Sequence, residues 1–226
     1  MRSAVLLSWA AASAWANAAW SGVTVSGDGW AFTFSEISQA MDVIRASGRA
    51  GANYLVQASS GSYMPFTQAE NSTLVWDGST SVLSVNGDLS TAGTVLFELK
   101  YGSSEEKSAG EQVELSTILA SGDISIADGT VLALSVPRKL TFKDGDSLTL
   151  MATGNGKSIF ADLELLRTSL VGLPRLPAGS GWDLRIAPGN LDGYGGDSLV
   201  LMAVPMPGPA ALFALAAVTG ARRRRS

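Results

Sequence analysis

The stretch GDISIADGTVLALSV, residues 122–136, decides the fold because it joins two short β-rich runs through a small polar turn. Isoleucine, valine and leucine dominate the runs, as they do in strands with at least one buried face. Asp128 and Gly129 stand between the runs, and an Asp-Gly pair is a strong turn signal. This unit therefore indicates two strands joined by a turn.

The same alternation of short runs and polar turns extends from this stretch over residues 71–204. The runs are TLVW, SVLSV, TVLFEL, QVEL, DISI, TVLALSV, SLTLMA, DLRI and SLVLM. The turns between them are rich in Gly, Asp, Asn and Ser. We therefore predict an all-β fold. The spacing fits either a parallel β-solenoid or an antiparallel β-sandwich, and the lack of intervening helices excludes a doubly wound α/β fold.

Residues 19–70 are predicted to form a small N-terminal cap of β and α structure. The runs GVTV and WAFTF, joined by Asp28 and Gly29, have the pattern of a β-hairpin. Ser35 is suited to cap a helix that runs to about Ser47. One face of this helix carries Ile37, Ala40, Met41 and Ile44. We expect it to be the one helix of the folded region and to cover the open end of a sheet stack.

The composition excludes several kinds of chemistry. The 226 residues contain no histidine and no cysteine, so His-dependent triads, thiolate nucleophiles, disulfides and imidazole or thiolate metal sites are ruled out. The basic residues Arg2, Arg222, Arg223, Arg224 and Arg225 lie in the two end segments, which leaves 11 basic against 20 acidic residues between them. Since phosphate backbones are bound by clustered cations, we expect no nucleic-acid partner.

Residues 1–18 have the pattern of a signal peptide. Arg2 precedes an apolar run broken only by serines, and small residues follow that run. Two A-x-A sites end at Ala16 and at Ala18, and we predict cleavage after Ala18. The alternative is a short N-terminal core helix, which would not need this order of charge, apolar run and small residues.

Residues 205–226 combine prolines, an apolar run and a basic end. We expect the segment VPMPGP to be neither helix nor interior strand, but extended and accessible to proteases, because proline fixes φ and removes a donor. Residues 210–221 carry no charge and would span about 18 Å as a helix, less than the roughly 30 Å of a bilayer core. Four arginines follow as a basic stop on the cytoplasmic side: Arg222, Arg223, Arg224 and Arg225. This order is typical of cleaved C-terminal anchors, and the alternative is an ordinary amphipathic or disordered tail.

The tail resembles the PEP-CTERM sorting signal of bacterial surface and exopolysaccharide-associated proteins, in which a Val-Pro-Glu-Pro-like motif precedes an apolar helix and an arginine cluster. Val204, Pro205, Met206 and Pro207 occupy the motif here, with Met206 where the family usually has Glu. The resemblance implies transient anchoring in the inner membrane. It also implies an exosortase-type membrane protease as a partner, which would cut near Pro205 to Pro207.

The region from about Thr73 to Val204 is similar to the strands that commonly precede such tails and that recur in autotransporter passenger domains. GDISIADGTVLALSV and PAGSGWDL carry this resemblance. It implies a right-handed β-helix or related β-roll with structural work at the surface and no catalysis. We therefore expect an exported cell-surface or extracellular-matrix protein of structural or adhesion type. The alternatives are an extracellular carbohydrate-binding module, with polysaccharide as partner, and a β-helix polysaccharide-degrading enzyme.

Individual candidate site residues are few, and we predict no metal site and no cofactor. The best candidates for paired catalytic carboxylates are Asp123, Asp128, Asp144 and Asp146, although each lies beside a glycine in a turn, where Asp is favoured for local hydrogen bonds. LDGYGGDSLVL, residues 191–201, has a single imperfect likeness to a calcium-binding repeat. Exposed aromatic rings could stack on sugars, with core packing as the default role. The candidate rings are Trp30, Phe32, Phe34, Trp76, Phe97, Phe142, Phe160 and Trp182.

Overall fold

The computed structural model describes residues 22–27, 30–47, 52–59, 61–77, 82–101, 113–189 and 194–206. The first elements are β1 (Val23–Gly27), β2 (Trp30–Phe34), α1 (Ile37–Ser47), β3 (Tyr54–Ser59), β4 (Gly61–Tyr63) and β5 (Phe66–Thr67). The next are β6 (Ser72–Asp77), β7 (Val82–Val85), β8 (Leu89–Thr91), β9 (Thr94–Tyr101), β10 (Val113–Leu115), β11 (Thr117–Ala120) and β12 (Ile124–Ile126). The last are β13 (Val131–Ser135), β14 (Ser147–Thr153), β15 (Ile159–Phe160), α2 (Leu163–Thr168), β16 (Leu170–Val171), β17 (Ser180–Pro188) and β18 (Asp197–Pro205).

The strands form three sheets whose neighbouring strands are distant along the chain. Sheet A contains the series β3, β6, β9, β13 and β16, sheet B the series β4, β7, β11 and β14, and sheet C the series β5, β8, β12 and β15. Within each series every neighbouring pair is parallel. The described residues are mostly β structure, in line with the predicted all-β class, and their sheets are rich in parallel pairs. The sandwich alternative requires antiparallel pairing, whereas these neighbours are parallel.

Antiparallel strands extend two of the sheets. The hairpin of β1 and β2 joins sheet A through β3, which confirms the hairpin predicted from GVTV and WAFTF. The hairpin of β17 and β18 joins sheet B through β14. A third antiparallel pair, β9 with β10, lies beside the parallel series of sheet A. The parallel series of sheets A and B is therefore flanked at one end by an antiparallel hairpin.

The core consists of rows of apolar side chains that continue from strand to strand. In sheet C one register row contains Phe66, Leu89, Ile124 and Ile159, all buried. In sheet A another contains Val56, Leu74, Val95 and Leu132, all fully buried. Trp76 and Phe97 add an edge-to-face pair, with ring centroids 5.4 Å apart. Each added strand thus buries one more side chain per row, so the core runs the length of the stack.

Helix α1 packs against β1, β3 and β5 and buries the predicted apolar face of Ile37, Ala40, Met41 and Ile44. The predicted helix and its apolar face are confirmed, whereas the hydroxyl of the predicted cap Ser35 donates to the side-chain oxygen of Gln39 at 3.3 Å. The Sδ atom of Met41 lies 3.4 Å from the backbone nitrogen of Ala69, and the Arg45 guanidinium donates to the Thr67 carbonyl. The pairing of β3 with β6 crosses the predicted boundary between residues 70 and 71, so the sheets continue through it.

Helix α2 corrects the expectation of a single helix. Asp162 caps it, because its Oδ1 atom accepts hydrogen bonds from the backbone N–H groups of Glu164 at 3.0 Å and Leu165 at 3.1 Å. The helix has six residues, and Leu166 is its buried residue. A helix this short has no room for the repeating apolar face from which α1 was predicted.

Candidate functional site

The structure describes only part of the predicted sorting signals. Ala16, Ala18, Pro207 and the arginines at positions 222–225 lie outside the described residues, as does the apolar run of the tail. Val204 and Pro205 are the last residues of β18, and Met206 follows them. The side chains of Pro205 and Met206 are exposed, and the N–H of Met206 donates a hydrogen bond to the carbonyl of Gly179 at 2.7 Å.

The prediction that this motif avoids interior strands is wrong for its first two residues. Val204 pairs with Gly181 and Pro205 with Ser180, although β18 lies between β14 and β17. In a strand, the backbone N–H and C=O groups of two residues that are two positions apart point towards the same neighbour. The N–H and C=O of Ala203 point towards the turn before β14, where they bond to the carbonyl of Asp146 and to the N–H of Gly145. The nitrogen of Pro205 therefore points past the end of β14, where no ladder partner is needed.

Two of the acidic side chains in turns connect successive strands of one sheet. Asp88 Oδ1 accepts a hydrogen bond from the backbone N–H of Asp123 at 2.9 Å, and Asp123 Oδ1 accepts one from the N–H of Ser158 at 2.9 Å. The second carboxylate oxygen of Asp123 lies 3.7 Å from the Lys157 ammonium. Both carboxylate oxygens of Asp123, a candidate catalytic residue, thus contact partners in the turn that leads into β15.

The other acidic candidates also occupy turns. Asp128, Asp144 and Asp146 are exposed, and Asp146 accepts a hydrogen bond from the backbone N–H of Lys143 at 2.7 Å within its own turn. Asp197, in the stretch with a likeness to a calcium repeat, accepts from the N–H of Ile159 at 3.1 Å. Among the described residues, no group of three or more Asp and Glu side chains could hold a metal ion. Residues 191–193 of that stretch lie outside the described residues.

Most of the candidate aromatic rings pack in the interior. Trp76, Phe97 and Phe142 are buried, and Phe34 and Trp182 are partly buried against the core. The Trp30 side chain lies outside the described part. Phe32 and Phe160 are the exposed ones, with 36% and 59% of their surfaces accessible. Phe160 is therefore the ring best placed to meet a ligand.

Phe160 continues a row of hydroxyl side chains on the outer face of sheet C. Thr67 pairs with Ser90, Ser90 with Ser125, and Ser125 with Phe160. Because alternate residues of a strand point to opposite faces, this row lies opposite the buried row that begins with Phe66. We call Thr67, Ser90 and Ser125 the hydroxyl row, and Phe160 lies at its end.

A groove of about 570 Å³ runs between α1 and the hydroxyl row. Its polar lining includes Asp42, Arg45, Thr67, Asp88, Ser90 and Ser125. Arg45 and Asp42 form an ion pair at 2.9 Å on the helix side, and Asp88 lies at the turn that leads into β8. The groove therefore offers hydroxyl groups at a spacing set by the sheet, with the carboxylates of Asp42 and Asp88 beside them.

A second cleft, of about 480 Å³, lies where the chain leaves β13 and β16. Its lining includes Leu134, Arg138, Leu140, Leu173, Pro174 and Arg175, and we call it the arginine cleft. Leu134, Leu140 and Pro174 are buried, whereas Leu173 and both arginines are exposed. Trp182 holds the backbone of Pro174 in place, because its Nε1–H donates a hydrogen bond to the Pro174 carbonyl at 2.8 Å.

Comparisons of the chain with protein-family models, with curated proteins and with solved structures find no match. In the part of the chain that the structure describes, no helix combines the length and apolar character needed to cross a membrane.

Neither the hydrogen bonds of Asp88 and Asp123 between turns nor the arginine cleft was predicted from the sequence. The sequence does contain a signal for the carboxylate connections, since GDLS at residues 87–90 returns as GDIS at residues 122–125. The sequence contains no comparable signal for the arginine cleft. Arg138 and Arg175 are far apart along the chain, and a bridge between Thr141 and Arg175 brings their segments together.

Proposed function

We propose that this chain is an exported structural or adhesion-type protein of the cell surface or extracellular matrix, with a role that needs no catalysis. The observation that carries the proposal is the parallel series in all three sheets, with a core that continues from strand to strand. Such an arrangement is stiff along the stack, because each strand is held by hydrogen bonds on both sides. A body built of continuous parallel sheets suits presentation of a surface.

We further propose that the fold is a three-faced parallel β-solenoid. Successive strands enter sheets A, B and C in turn: β3, β4 and β5, then β6, β7 and β8, then β9, β11 and β12, then β13, β14 and β15. Each set adds one strand to every sheet, as one coil of a solenoid does. Helix α1 would cover the first coil, since it packs on β3 and β5. The hairpin of β17 and β18 would close the other end of sheet B.

The proposed route to the surface uses both ends of the chain. The signal peptide would be removed after Ala18, and the C-terminal tail would hold the protein in the inner membrane until an exosortase-type protease cuts near Pro205 to Pro207. The position of Pro205 and Met206 at the end of β18 supports this order, because the cut would fall where the paired strand ends and the tail begins. The folded body would then be released or attached at the surface.

Intact mass and C-terminal sequencing of the protein from native cells, separated into membrane, surface and medium, test this route. We expect the surface or medium form to lack the first 18 residues and the residues after about Pro207. Recovery of a surface form that still carries Arg222, Arg223, Arg224 and Arg225 would contradict the proposed processing.

Substitution of the four tail arginines tests the basic stop separately. Replacement by serine should impair retention and processing, because the positive charge that fixes the cytoplasmic end is lost. Replacement by lysine is the matched control and should preserve both. Equal localisation and mass for the two variants would show that charge at these positions has no part in sorting.

An extracellular carbohydrate-binding role is the second candidate, and the exposed ring of Phe160 at the end of the hydroxyl row favours it. A sugar ring could stack on Phe160 while the serine and threonine hydroxyls bond to its neighbours. Phe160→Ala should then abolish glycan retention in affinity electrophoresis, whereas Phe160→Trp should preserve it. Phe32→Ala controls for a general loss of exposed aromatic surface. Identical migration of all four proteins in every glycan gel would count against this candidate.

A further inference from the structure

The arginine cleft is built by a close approach of two chain segments. Gly172 follows β16 with a φ of +73°, and a Cβ atom on it would lie 2.0 Å from the carbonyl oxygen of Leu134 in β13. Only glycine fits this approach. The segment after Gly172 therefore leaves sheet A directly beside the turn that follows β13, where the N–H of Leu140 bonds to the carbonyl of Pro137 at 3.0 Å. Arg138 and Arg175 are thus placed on the same cleft.

The two arginines of this cleft differ from those elsewhere in the described ranges. Arg45, Arg167 and Arg185 each form an ion pair with a carboxylate of the chain. No hydrogen bond or ion pair within the described ranges involves the guanidinium of Arg138 or that of Arg175. In a chain with 20 acidic residues, two cations on one cleft without a carboxylate form a local positive surface.

The floor of the cleft adds an apolar component to this charge. Leu134 and Leu140 are 5% and 8% exposed, and Pro174 is also buried, so the floor presents carbon atoms. Leu173 is 40% exposed at the rim. A ring with one apolar face and polar edges could lie on this floor and keep its polar edges in water.

We propose that the arginine cleft binds the carboxylate of an acidic sugar, a hexuronate unit of one or two rings. Guanidinium groups bind carboxylates through paired N–H donors, and the carbon face of a pyranose ring would lie on the leucine and proline floor. The volume of about 480 Å³ is in the range of small-molecule sites. The choice of a sugar rests on the proposed extracellular location, while the requirement for a carboxylate rests on Arg138 and Arg175 alone.

Titration calorimetry of the purified protein with digalacturonate tests the proposal, with the neutral digalactose and with triglutamate as comparison ligands. We expect saturable binding of digalacturonate that weakens as salt is raised, and none of digalactose. Trp182 fluorescence should change on binding, because its indole is bonded to the Pro174 carbonyl behind the floor. Arg138→Gln and Arg175→Gln should each weaken binding at least about tenfold.

Lys157→Gln is the matched control, because it removes an exposed positive charge outside the lining of the cleft and should leave the affinity unchanged. Thermal melts of the three variants show whether the fold is kept. Absence of saturable binding, equal binding of digalactose, or an equal effect of Lys157→Gln would overturn the proposal. Tighter binding of triglutamate than of digalacturonate would show that the ligand of the cleft is an acidic peptide and not an acidic sugar. None of these outcomes bears on the processing of the tail, which the mass measurement tests independently.

Discussion

The Oδ1 atom of Asp123 accepts a hydrogen bond at 2.9 Å from the backbone N–H of Ser158, which lies 35 residues further along the chain. Asp88 makes the same bond to the N–H of Asp123, again across 35 residues. Each carboxylate thus satisfies a donor at the turn before the next strand of sheet C, since β12 begins at Ile124 and β15 at Ile159. These side chains hold the parallel strands of sheet C in register where the chain turns.

Removal of the Asp123 carboxylate should therefore destabilise the fold. Asp123→Ala leaves the half-buried N–H of Ser158 without its acceptor, and we expect a loss of about 1–2 kcal/mol in the free energy of unfolding. The ion pair with Lys157 contributes little to this loss, because both side chains are about 40% exposed. Urea denaturation followed by circular dichroism measures the difference.

Two variants separate the hydrogen bond from other effects of the substitution. Asp123→Asn keeps an oxygen at the accepting position and should lose clearly less stability than Asp123→Ala. Asp128→Ala, at an exposed carboxylate in the next turn, should change stability by less than about 0.5 kcal/mol. If Asp123→Ala is as stable as Asp128→Ala, the bond to Ser158 has no role in stability.

The strands and the first helix could be predicted from the sequence because their signals are local. Ile124 and Ile126 alternate with Ser125 in β12, and the apolar face of α1 repeats with the helical period. The partners of each strand could not be predicted in this way. Leu74 pairs with Val56 in sheet A and Leu132 with Val95, at very different separations along the chain, because insertions interrupt the repeat.

Residues of the candidate surfaces could be predicted from the sequence only where the residue type itself indicates a role. Phe160 was among the aromatic candidates, but its exposure depends on which face of a two-residue strand it occupies. The turn role of Asp123 followed from its Gly-Asp sequence, whereas its acceptance of the Ser158 N–H depends on stacking of β12 on β15. Arg138 and Arg175 meet through tertiary contacts of irregular segments, which have no periodic pattern to find.

Gly122 should be the least replaceable of the glycines near β12. A Cβ atom on it would lie 2.5 Å from the carbonyl carbon of Gly87 and 2.6 Å from the nitrogen of Asp88, so the backbone of the neighbouring turn would have to move. We expect Gly122→Ala to cost more than about 2 kcal/mol and to weaken the register that Asp88 maintains. Thermal and urea unfolding measure the loss.

The control for this substitution is Gly129→Ala on the other side of β12. Gly129 has a φ of +84° but open space around its Cα, so alanine there meets backbone strain without a clash and should cost about 1 kcal/mol. A smaller loss of stability for Gly122→Ala than for Gly129→Ala would show that the backbone at Gly87 and Asp88 can move at little cost.

Arg167 should protect the free edge of sheet B from association. Strand β17 is the last strand of that sheet in the described chain, and the Arg167 guanidinium donates to the carbonyl of Leu184 at 2.9 Å. Pro188 at the other end of β17 has no N–H to offer. Arg167→Ala should therefore expose a strand edge, and we expect a loss of about 1 kcal/mol and concentration-dependent dimers in sedimentation velocity.

Arg185→Ala is the matched control for the edge. Arg185 shares the partner Asp183 with Arg167, at 2.8 Å and 3.2 Å respectively, but the described hydrogen bonds of Arg185 involve no carbonyl of β17. This variant should therefore sediment as the wild-type protein does. Dimers of both variants at equal concentration would assign the effect to lost charge instead of an opened edge.

Tyr63 should make the fold sensitive to alkaline pH. Its side chain is 3% exposed and its hydroxyl donates to the Ser59 carbonyl at 2.8 Å. Burial raises the pKa of the phenol above its ordinary value of 10.0, and the nearby charge of Glu36 raises it further. The folded protein therefore holds this proton more tightly than the unfolded chain. Below about pH 10 the phenol is neutral in both states, and above it the unfolded state ionises first, so the stability falls as pH rises.

Urea denaturation at neutral pH and at several values between about pH 9 and pH 11 tests this sign. Tyr63→Phe should be less stable by about 1 kcal/mol at neutral pH, because the bond to Ser59 is lost, and its stability should fall less steeply above pH 10. Glu36→Gln should also flatten the alkaline fall, though less, because it removes only the smaller of the two causes that raise the pKa of Tyr63. Parallel curves for the wild-type protein and Tyr63→Phe would mean that the phenol ionises equally easily in the folded and unfolded states.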